Sequence, residues 1–512
     1  MKYPRVLEIK DLCLGFPGKR NEYTEVLKGL NISVRRGELL GIIGNSGCGK
    51  SITSLAVTGL LPREARITGG EIIFDGQDLL KLNPKARRRL LGKDIGIVFQ
   101  EPRTALDPLM RVGKNLDEIL TAHGMKDPEE RRKKILDMLR QVNFDDPEDI
   151  YGRFPHQLSG GQRQRILIAG AALLSPKLLI CDEVTSALDT VTTVEVLDLL
   201  RSLCFEMKIT IMFISHDLSA VENFCDRVMV MNDGRIIDCD NTYDILHTPK
   251  NAFTARLLEN ATLDPRTLSL ETADCDYTRS PVMTGRNIAA GYSRKKIISS
   301  LDMEIYPGEI LGLIGRSGCG KTTLTKAICG LLPYEGKIDI SGGRPGTVFQ
   351  DPVSCLNPSH TVLWHMKEAI RAAKRSYSMD LINTVMDEVG LDSEHLTRFP
   401  SQLSGGQRQR VAIGMCLIAE PSLLVADEPF SSLDATSAAE ILKLLAKINR
   451  ERNMSILLIS HNLHIIRALC KRVLVMEKGS IVEEGITKEI LAEPKSEAPQ
   501  GLIDAERKLH NS

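Results

Sequence analysis

The chain has 512 residues, too many for one hydrophobic core and enough for two or more domains of ordinary size. Its 66 Lys and Arg residues balance 66 Asp and Glu residues, so it lacks the net positive charge that is typical of nucleic-acid-binding proteins. No apolar run approaches the length of a membrane span, the first ten residues lack a signal-peptide core, and the twelve cysteines contain no CxxC pair. We therefore expect a cytosolic protein with reduced cysteines, no nucleic-acid partner and no zinc site.

The N-terminal segment, residues 1 to about 36, alternates short apolar runs with turn residues, a pattern that predicts an antiparallel strand layer. Residues 287–309 (NIAAGYSRKKIISSLDMEIYPGE) repeat this pattern in the second half. Phe16 and Tyr292 occupy corresponding places in the two segments. Each aromatic ring is either an ordinary core residue or a surface that stacks on adenine, and the sequence leaves both readings open.

A glycine-rich loop follows an apolar strand and precedes a helix in both halves, as GELLGIIGNSGCGKS and GEILGLIGRSGCGKTT. This is the P-loop pattern, in which backbone N–H groups surround phosphates, the Lys reaches the terminal phosphates and the Ser or Thr hydroxyl binds Mg²⁺. A chance match is disfavoured because the strand and the helix are present twice. The predicted nucleotide-binding residues are Gly44, Asn45, Ser46, Gly47, Cys48, Gly49, Lys50, Ser51 and Ile52, and then Gly315, Arg316, Ser317, Gly318, Cys319, Gly320, Lys321, Thr322 and Thr323.

Polar side chains follow further buried strands, at the sheet edge where open α/β sheets bind their ligands. Gln100 and Gln350 end the runs GIVFQ and GTVFQ, and a carboxamide there can reach both Mg²⁺ and an attacking water. Either glutamine alone would more often be a solvated loop residue.

Two adjacent acids end the strands KLLICDE and SLLVADE: Asp182 with Glu183, and Asp427 with Glu428. Two buried charges need a partner, and Mg²⁺ supplies one. We expect each Asp to hold the metal, directly or through water, and each Glu to polarise the water that attacks the γ-phosphate. A carboxylate pair that caps the next helix is the alternative, but it does not explain the repetition.

A histidine, His216 or His461, ends the next strand of each half. A lone His in such a place is usually structural. Each of these follows the first acid of its half by 34 residues, so we interpret both as contacts of the γ-phosphate.

The segment Arg153–Arg165, RFPHQLSGGQRQR, returns almost unchanged as Arg398–Arg410. A hydroxyl and two glycines at a helix start let backbone N–H groups approach an anion, so LSGGQ is half of a phosphate site. A glycine-rich helix start that binds nothing would be the better reading of a single copy. The predicted binding residues are Ser159, Gly160, Gly161 and Gln162, and then Ser404, Gly405, Gly406 and Gln407.

The two halves keep one register of 245 residues from the signature onward, which predicts domains at 1–262 and 283–512 joined by a linker at 263–282. Upstream the halves differ. Lys50 precedes Gln100 by 50 residues, but Lys321 precedes Gln350 by 29, so we expect the first half alone to carry a hairpin and a basic helix.

Together these motifs resemble the ATP-binding cassette family over nearly the whole chain. The resemblance implies an α/β fold of two tandem P-loop cassettes, each with a parallel core sheet, an antiparallel β layer and a helical subdomain, and it implies ATP and Mg²⁺ as ligands. It also implies an intramolecular head-to-tail cassette pair, in which Lys50 shares an ATP with Ser404, and Lys321 with Ser159. Val184 and Phe430 depart from the family pattern, and we expect both to be tolerated.

The segments FQEPRTALDP, FQDPVSCLNP and HTPKNAFTARLL are similar to ATPases of oligopeptide, dipeptide and nickel importers. That similarity implies two permease subunits on separate chains, a solute-binding protein, and a peripheral position on the cytoplasmic side of the inner membrane. The tail motif of that branch is altered and its cysteine-rich extension is missing, so no iron–sulfur cluster is expected. The alternative is a soluble tandem cassette protein that acts on ribosomes, which would carry a longer and more charged linker. DNA-repair cassettes would need zinc cysteines or a coiled coil.

Overall fold

A computed structural model describes residues 4–18, 23–99, 105–186, 188–262, 268, 270–292, 295–350, 355–430 and 433–510. The chain divides into two compact units. Unit 1 comprises the described residues of Met1–Leu188, Thr192–Leu258 and Lys508–Ser512, and unit 2 comprises those of Asp189–Val191 and Glu259–Arg507.

Unit 1 contains two sheets. An antiparallel sheet has the order β2-β1-β4-β5, and a six-stranded sheet has the order β10-β9-β3-β8-β7-β6, in which only the edge strand β10 runs antiparallel. The strands are β1 (Arg5–Pro17), β2 (Tyr23–Arg35), β3 (Leu39–Ile43), β4 (Arg66–Phe74), β5 (Gln77–Asp78), β6 (Ile95–Val98), β7 (Leu178–Asp182), β8 (Thr210–Ile214), β9 (Arg227–Asn232) and β10 (Arg235–Asn241).

Unit 2 repeats this plan. Its antiparallel sheet has the order β12-β11-β14, and its six-stranded sheet has the order β15-β16-β17-β13-β18-β19 with an antiparallel edge strand β19. The strands are β11 (Met283–Tyr292), β12 (Lys295–Ile305), β13 (Ile310–Ile314), β14 (Tyr334–Ile340), β15 (Gly346–Val348), β16 (Leu423–Asp427), β17 (Ser455–Ile459), β18 (Arg472–Glu477) and β19 (Ser480–Ile486).

Helices cover the parallel sheets and form a separate helical region in each half. In the first half, the helix Val112–Ala122 packs against Pro128–Gln141, Pro147–Gly152 and Gly160–Ala172. The remaining helices of that half are Lys50–Thr58, Pro84–Leu90, Thr190–Met207, Leu218–Phe224, Thr242–His247 and Ala252–Thr262. The helices of the second half are Lys321–Ile328, Val362–Ala372, Met379–Glu388, Gly405–Ile418, Ala435–Arg452, Leu463–Leu469, Thr487–Ala492 and Glu497–His510. That half also has 3-10 turns at Ser393–Thr397 and Pro400–Gln402, and the second of these matches the turn Pro155–Gln157 of the first half.

The central strands are apolar runs because both faces of a parallel sheet are covered. Every residue of β3, β7 and β8 is buried, and so is every residue of β13, β16 and β17. The predicted parallel core sheets, antiparallel layers and helical subdomains are therefore confirmed.

A buried ion pair stands beside each central strand. The Arg227 Nε donates to Glu38 Oε1 at 2.7 Å, and the Arg472 Nε donates to Glu309 Oε1 at 2.7 Å. The sequence pattern alone does not predict these pairs. Each joins the residue that precedes β3 or β13 to the first residue of β9 or β18, and so fixes the strand that leads into the P-loop.

One expectation from the sequence needs adjustment. The first strand of the expected hairpin is not unique to the first half, because β4 and β14 both pair with the first strand of their unit. Only β5 and the basic helix Pro84–Leu90 occur in the first half alone among the described residues.

The described part of the segment 263–282 packs on unit 2. Leu268 is buried in the core of that unit, and the Ala273 N–H donates to Asn449 Oδ1 at 2.7 Å. Among the described residues, no helix combines the length and the apolar character that a bilayer crossing requires.

Candidate functional site

The P-loop of unit 1 connects β3 to the helix Lys50–Thr58, and its path requires glycine. Gly44 has a φ of 152° and Gly49 a φ of 109°. A Cβ at Gly44 would lie 2.1 Å from the Met231 carbonyl oxygen, so no other residue fits there. Gly315 has a φ of 156° and meets the Met476 carbonyl in the same way. The loop can thus turn its N–H groups toward an anion at a helix start.

The P-loop lysines lie at the centre of these loops. The Lys50 Nζ donates to the carbonyls of Gly44 (2.7 Å) and Asn45 (2.9 Å). The Lys321 Nζ donates to Gly315 (2.6 Å) and to Arg316 (3.2 Å). Each ammonium group is therefore held inside the loop that would surround the phosphates.

Asp182 of unit 1 lies at the end of β7, directly beside the P-loop helix. The Ser51 hydroxyl donates to its Oδ1 at 3.2 Å, and the Ser54 hydroxyl donates to its Oδ2 at 2.9 Å. Burial raises the pKa of this carboxyl above its ordinary value, against the two hydrogen bonds. Ser51 and Asp182 are hard oxygen ligands of the kind that Mg²⁺ prefers, so this pair fits the metal.

Asp427 is the counterpart in unit 2, at the end of β16. Burial raises its pKa to about 6, the neighbouring charge of Glu428 adds to the rise, and a hydrogen bond from Thr322 opposes it. The predicted metal residues Thr322 and Asp427 therefore lie together, like Ser51 and Asp182.

The glutamates that follow these acids have an unusual backbone. Glu183 and Glu428 have φ values of 50° and 49°, and their N–H groups donate to Ile214 and Ile459 at 2.9 Å in the neighbouring strands. Non-glycine residues with such φ values are uncommon and cluster at functional sites. Both units have this strained backbone, as expected for a glutamate whose side chain must point away from the end of its strand.

Each glutamate meets the histidine of its unit. The His216 Nδ1 lies 3.5 Å from Glu183 Oε1, and the His461 Nδ1 lies 3.3 Å from Glu428 Oε2. Burial disfavours the charged imidazoles, but the hydrogen bond and charge of each glutamate outweigh it and raise the pKa of both histidines. Burial likewise opposes ionisation of Glu428, yet His461 lowers the pKa of that carboxyl. Each glutamate therefore favours the protonated form of its histidine, and His461 favours the ionised form of Glu428.

Of the two strand-end glutamines, Gln350 belongs to the described residues. The Gln350 Nε2 donates to Glu428 Oε2 at 3.1 Å, so its carboxamide reaches the predicted base. Its predicted contact with the metal and the attacking water stays a prediction. Gln100 lies outside the described residues, and its predicted role stays a prediction.

The signature residues form a capping box at a helix start in both units. The Ser159 Oγ accepts from the Gln162 N–H at 3.2 Å, and the Gln162 Oε1 accepts from the Ser159 N–H at 3.0 Å. Ser404 and Gln407 make the same two bonds, at 3.2 and 2.9 Å. Gly160, Gly161, Gly405 and Gly406 occupy the first turn of each helix. This arrangement leaves each serine hydroxyl hydrogen available to donate.

The predicted aromatic contacts differ between the units. Phe16 packs against the core of unit 1, whereas Tyr292 is 46% exposed and lies under the Lys326 ammonium, 5.6 Å from the ring centroid. Tyr292 therefore offers a more accessible ring than Phe16.

The P-loop thiols are buried, and burial raises the pKa of Cys319. A helix start and a neighbouring lysine lower the pKa of a thiol, but at Cys319 desolvation outweighs both.

Ser54 was missed by the sequence analysis. It lies one helical turn after Lys50 and donates to the carboxylate of Asp182. A sequence feature could have indicated Ser54: in both halves a hydroxyl residue, Ser54 or Thr325, follows the P-loop lysine by four positions and so lies on the same helix face. In unit 2, however, the Thr325 hydroxyl donates to the Lys321 carbonyl at 3.2 Å.

Comparison with known proteins decides the family. The model of a family described as ABC transporter matches residues 27–186 and again residues 298–431. The chain belongs to the ATP-binding cassette (ABC) transporter family. It is an ABC ATPase with two cassettes, in agreement with the predicted fold and enzyme class.

Full-length relatives of this ABC protein are named for transport. It is 35% identical to the peptidoglycan transport ATP-binding protein YejF of Agrobacterium fabrum, over 98% of this chain and 96% of the relative. It is 32% identical to the glutathione import ATP-binding protein GsiA of Pectobacterium atrosepticum, over 98% of this chain and 89% of the relative.

A solved structure shares the tandem fold. It is described as a complex of archaeal ribosomal stalk protein aP1 and archaeal ribosome recycling factor aABCE1, and it matches 93% of this chain and 90% of its own with a TM-score of 0.62. Its sequence identity is 20%, so this likeness shows the fold alone.

Proposed function

We propose that this chain is the ATP-hydrolysing subunit of an ABC importer, in which both cassettes turn over ATP and so drive permease subunits on separate chains. The observation that carries the proposal is the repetition of one catalytic set, Lys, Ser or Thr, Asp, Glu and His, at the same edge of both parallel sheets. Neither set lacks a member, so neither cassette is degenerate in its catalytic groups.

The chemistry follows from these groups. The P-loop N–H groups and Lys50 or Lys321 bind the phosphates, and Mg²⁺, held by Ser51 with Asp182 or by Thr322 with Asp427, neutralises phosphate charge when bound. Because its pKa is held low, Glu428 is ionised at neutral pH and can accept a proton from the attacking water.

The histidine completes each set. His461 and His216 orient their glutamates through Nδ1, and as imidazolium ions they can face the anionic γ-phosphate. In unit 2, Gln350 fixes the glutamate from a second side.

We further propose that each ATP is bound between a P-loop and the signature of the other cassette. Ser404 would then complete the site of Lys50, and Ser159 the site of Lys321. The support is chemical: each capping box presents a hydroxyl and helix-start N–H groups, which suit a phosphate, and each P-loop supplies the complementary cation. Closure on ATP and opening after hydrolysis would provide the motion that moves the permeases.

The cargo we propose is a small solute that contains peptide bonds, delivered by a solute-binding protein. Relatives are named for peptidoglycan and for glutathione, and both compounds contain peptide units. Neither name refers to nickel, so nickel chelates have less support. The chain would work as a peripheral subunit at the cytoplasmic face of the inner membrane, with cassette domains at 1–262 and 283–512.

The test is co-purification of the tagged full chain from detergent-solubilised membranes, followed by uptake of a labelled peptidoglycan peptide or glutathione. We expect two permease chains in the complex and uptake that Glu183→Gln with Glu428→Gln abolishes. Recovery of ribosomes in place of permeases would contradict the importer and support the translation-linked alternative.

A further inference from the structure

The signature glutamine of unit 2 has a histidine beside it. The Gln407 Nε2 lies 3.2 Å from the His395 Nε2, and the His395 Nδ1 lies 3.2 Å from the Asp392 carbonyl oxygen. His395 is 9% exposed, so these contacts are shielded from solvent.

Unit 1 has an isoleucine at the same place. The register of 245 residues aligns His395 with Ile150, and one backbone bond matches: the Arg398 N–H donates to the His395 carbonyl at 3.0 Å, and the Arg153 N–H donates to the Ile150 carbonyl at 3.2 Å. Ile150 lies in the α-helix Pro147–Gly152, whereas His395 lies in the 3-10 turn Ser393–Thr397. Ile150 is buried and its side chain cannot form hydrogen bonds. The two signatures are therefore alike in sequence, but the position that His395 occupies in unit 2 is taken by an isoleucine in unit 1.

The hydrogen-bond pattern determines the protonation state of His395. The Ser404 N–H needs an acceptor, and the Gln407 Oε1 supplies it at 2.9 Å, so the Gln407 NH₂ must face the histidine. An NH₂ group only donates, so the His395 Nε2 must accept. The imidazole is then neutral, with its proton on Nδ1, where it donates to the Asp392 carbonyl.

We propose that His395 is a positioning residue for the signature of unit 2. Its neutral imidazole fixes the Gln407 carboxamide, which in turn holds the Ser404 backbone and the first turn of the helix that presents the phosphate-binding N–H groups. The inference rests on the proposed role of Ser404–Gln407 in ATP binding. On this proposal, the residues that orient the two signatures differ between the ATP sites, although the signature sequences are identical.

The experiment uses the purified full chain and three replacements of His395 or its partner. His395→Ile installs the residue that unit 1 uses, His395→Gln keeps an acceptor near the position of Nε2, and Gln407→Ala removes the side chain that is held. Turnover at saturating Mg-ATP, ATP affinity and melting temperature are measured for each variant and for the His395→Ile, Gln407→Ala double variant. Gln162→Ala in unit 1 is the matched control.

We expect His395→Ile to lower turnover about two- to tenfold, the range for one hydrogen bond, with an unchanged melting temperature because unit 1 folds with isoleucine there. His395→Gln should retain most of the turnover. In the Gln407→Ala background His395→Ile should have no further effect, whereas in the Gln162→Ala background its full effect should remain.

Independent effects of His395→Ile and Gln407→Ala would overturn the inference, and so would full turnover of His395→Ile when Gln407→Ala is impaired. If Ser404→Ala and Gln407→Ala themselves leave turnover unchanged, the proposed role of the signature fails and the inference fails with it. The two failures are thereby distinguished. Imidazole ¹⁵N spectra give a second readout: a neutral ring protonated at Nδ1 supports the account, and a ring protonated at Nε2 contradicts it.

Discussion

Unit 1 and unit 2 contain the same catalytic side chains, but the residues that hydrogen-bond to those side chains differ. Asp182 receives hydrogen bonds from both Ser51 and Ser54, whereas Asp427 receives one from Thr322 and the Thr325 hydroxyl donates to the Lys321 carbonyl. Burial raises the pKa of both carboxyls, that of Asp427 to about 6. The two units thus share the side chains that would contact ATP and differ in the side chains that orient those groups.

The same contrast appears in the loop before the helical region. In unit 1 the Asn115 Oδ1 accepts from the Asp107 N–H at 2.9 Å, and in unit 2 the His365 Nε2 accepts from the Asn357 N–H at 2.8 Å. Two different side chains therefore perform one structural task, and only one of them titrates near neutral pH.

The largest expected effect tests whether the two units are equally catalytic. Glu183→Gln and Glu428→Gln each remove a carboxylate base and keep the phosphate cage, so the hydrolysis step in the altered unit should slow roughly 10²- to 10⁴-fold while ATP still binds. Turnover and bound nucleotide are measured side by side, and the double variant should retain unhydrolysed ATP. Near-normal turnover of the double variant would refute the assignment, and a loss in only one single variant would show that the units are not equivalent.

A smaller effect should separate the units. Ser54→Ala removes a hydroxyl that orients Asp182, and we expect the Mg²⁺ concentration for half-maximal turnover to rise about tenfold, as for other outer partners of metal ligands. Thr325→Ser, which keeps the hydroxyl in unit 2, is the matched control and should leave the Mg²⁺ requirement unchanged. If Ser54→Ala leaves the Mg²⁺ titration unaltered, the Ser54 hydroxyl contributes to the helix and not to Mg²⁺ binding.

The P-loop cysteines report on the sites without catalysis. Bound Mg-ATP should slow alkylation of Cys48 and Cys319 several-fold, because both lie inside the loops that surround the phosphates. Burial raises the pKa of Cys319, so its labelling should be slow at neutral pH and faster as pH rises. Peptide mapping after timed alkylation measures both rates. Identical rates with and without Mg-ATP would argue against the placement of the P-loops around the nucleotide.

The smallest effect concerns pH. Burial lowers the pKa of His365 below its ordinary 6.5, so as pH falls below that value the unfolded chain takes up a proton that the folded chain resists, and folded stability decreases. His365→Asn, the residue that unit 1 uses, should reduce this loss between about pH 7 and pH 5. Thermal unfolding at several pH values measures it. An equal loss of folded stability in the unaltered chain and in His365→Asn would show that His365 is not the cause.

The sequence predicted the strands, both P-loops and the acid pairs because these depend on local patterns: buried apolar runs, glycines where φ is positive, and polar residues at strand ends. It could not predict contacts that depend on side-chain direction. Ser54 turns toward Asp182 while Thr325 does not, Gln350 reaches Glu428, and desolvation decides the pKa of Cys319.

We have proposed that each ATP is bound between the P-loop of one cassette and the signature of the other, and the direct test is a double-mutant cycle on ATP affinity. Lys50→Ala and Ser404→Ala should be coupled by about 0.5 to 3 kcal/mol, because both residues would contact one nucleotide. Lys50→Ala and Ser159→Ala should add to within roughly 0.5 kcal/mol, because they would serve different sites. Stronger coupling of Lys50 with Ser159 than with Ser404 would contradict the shared sites and would mean that each cassette closes on its own signature.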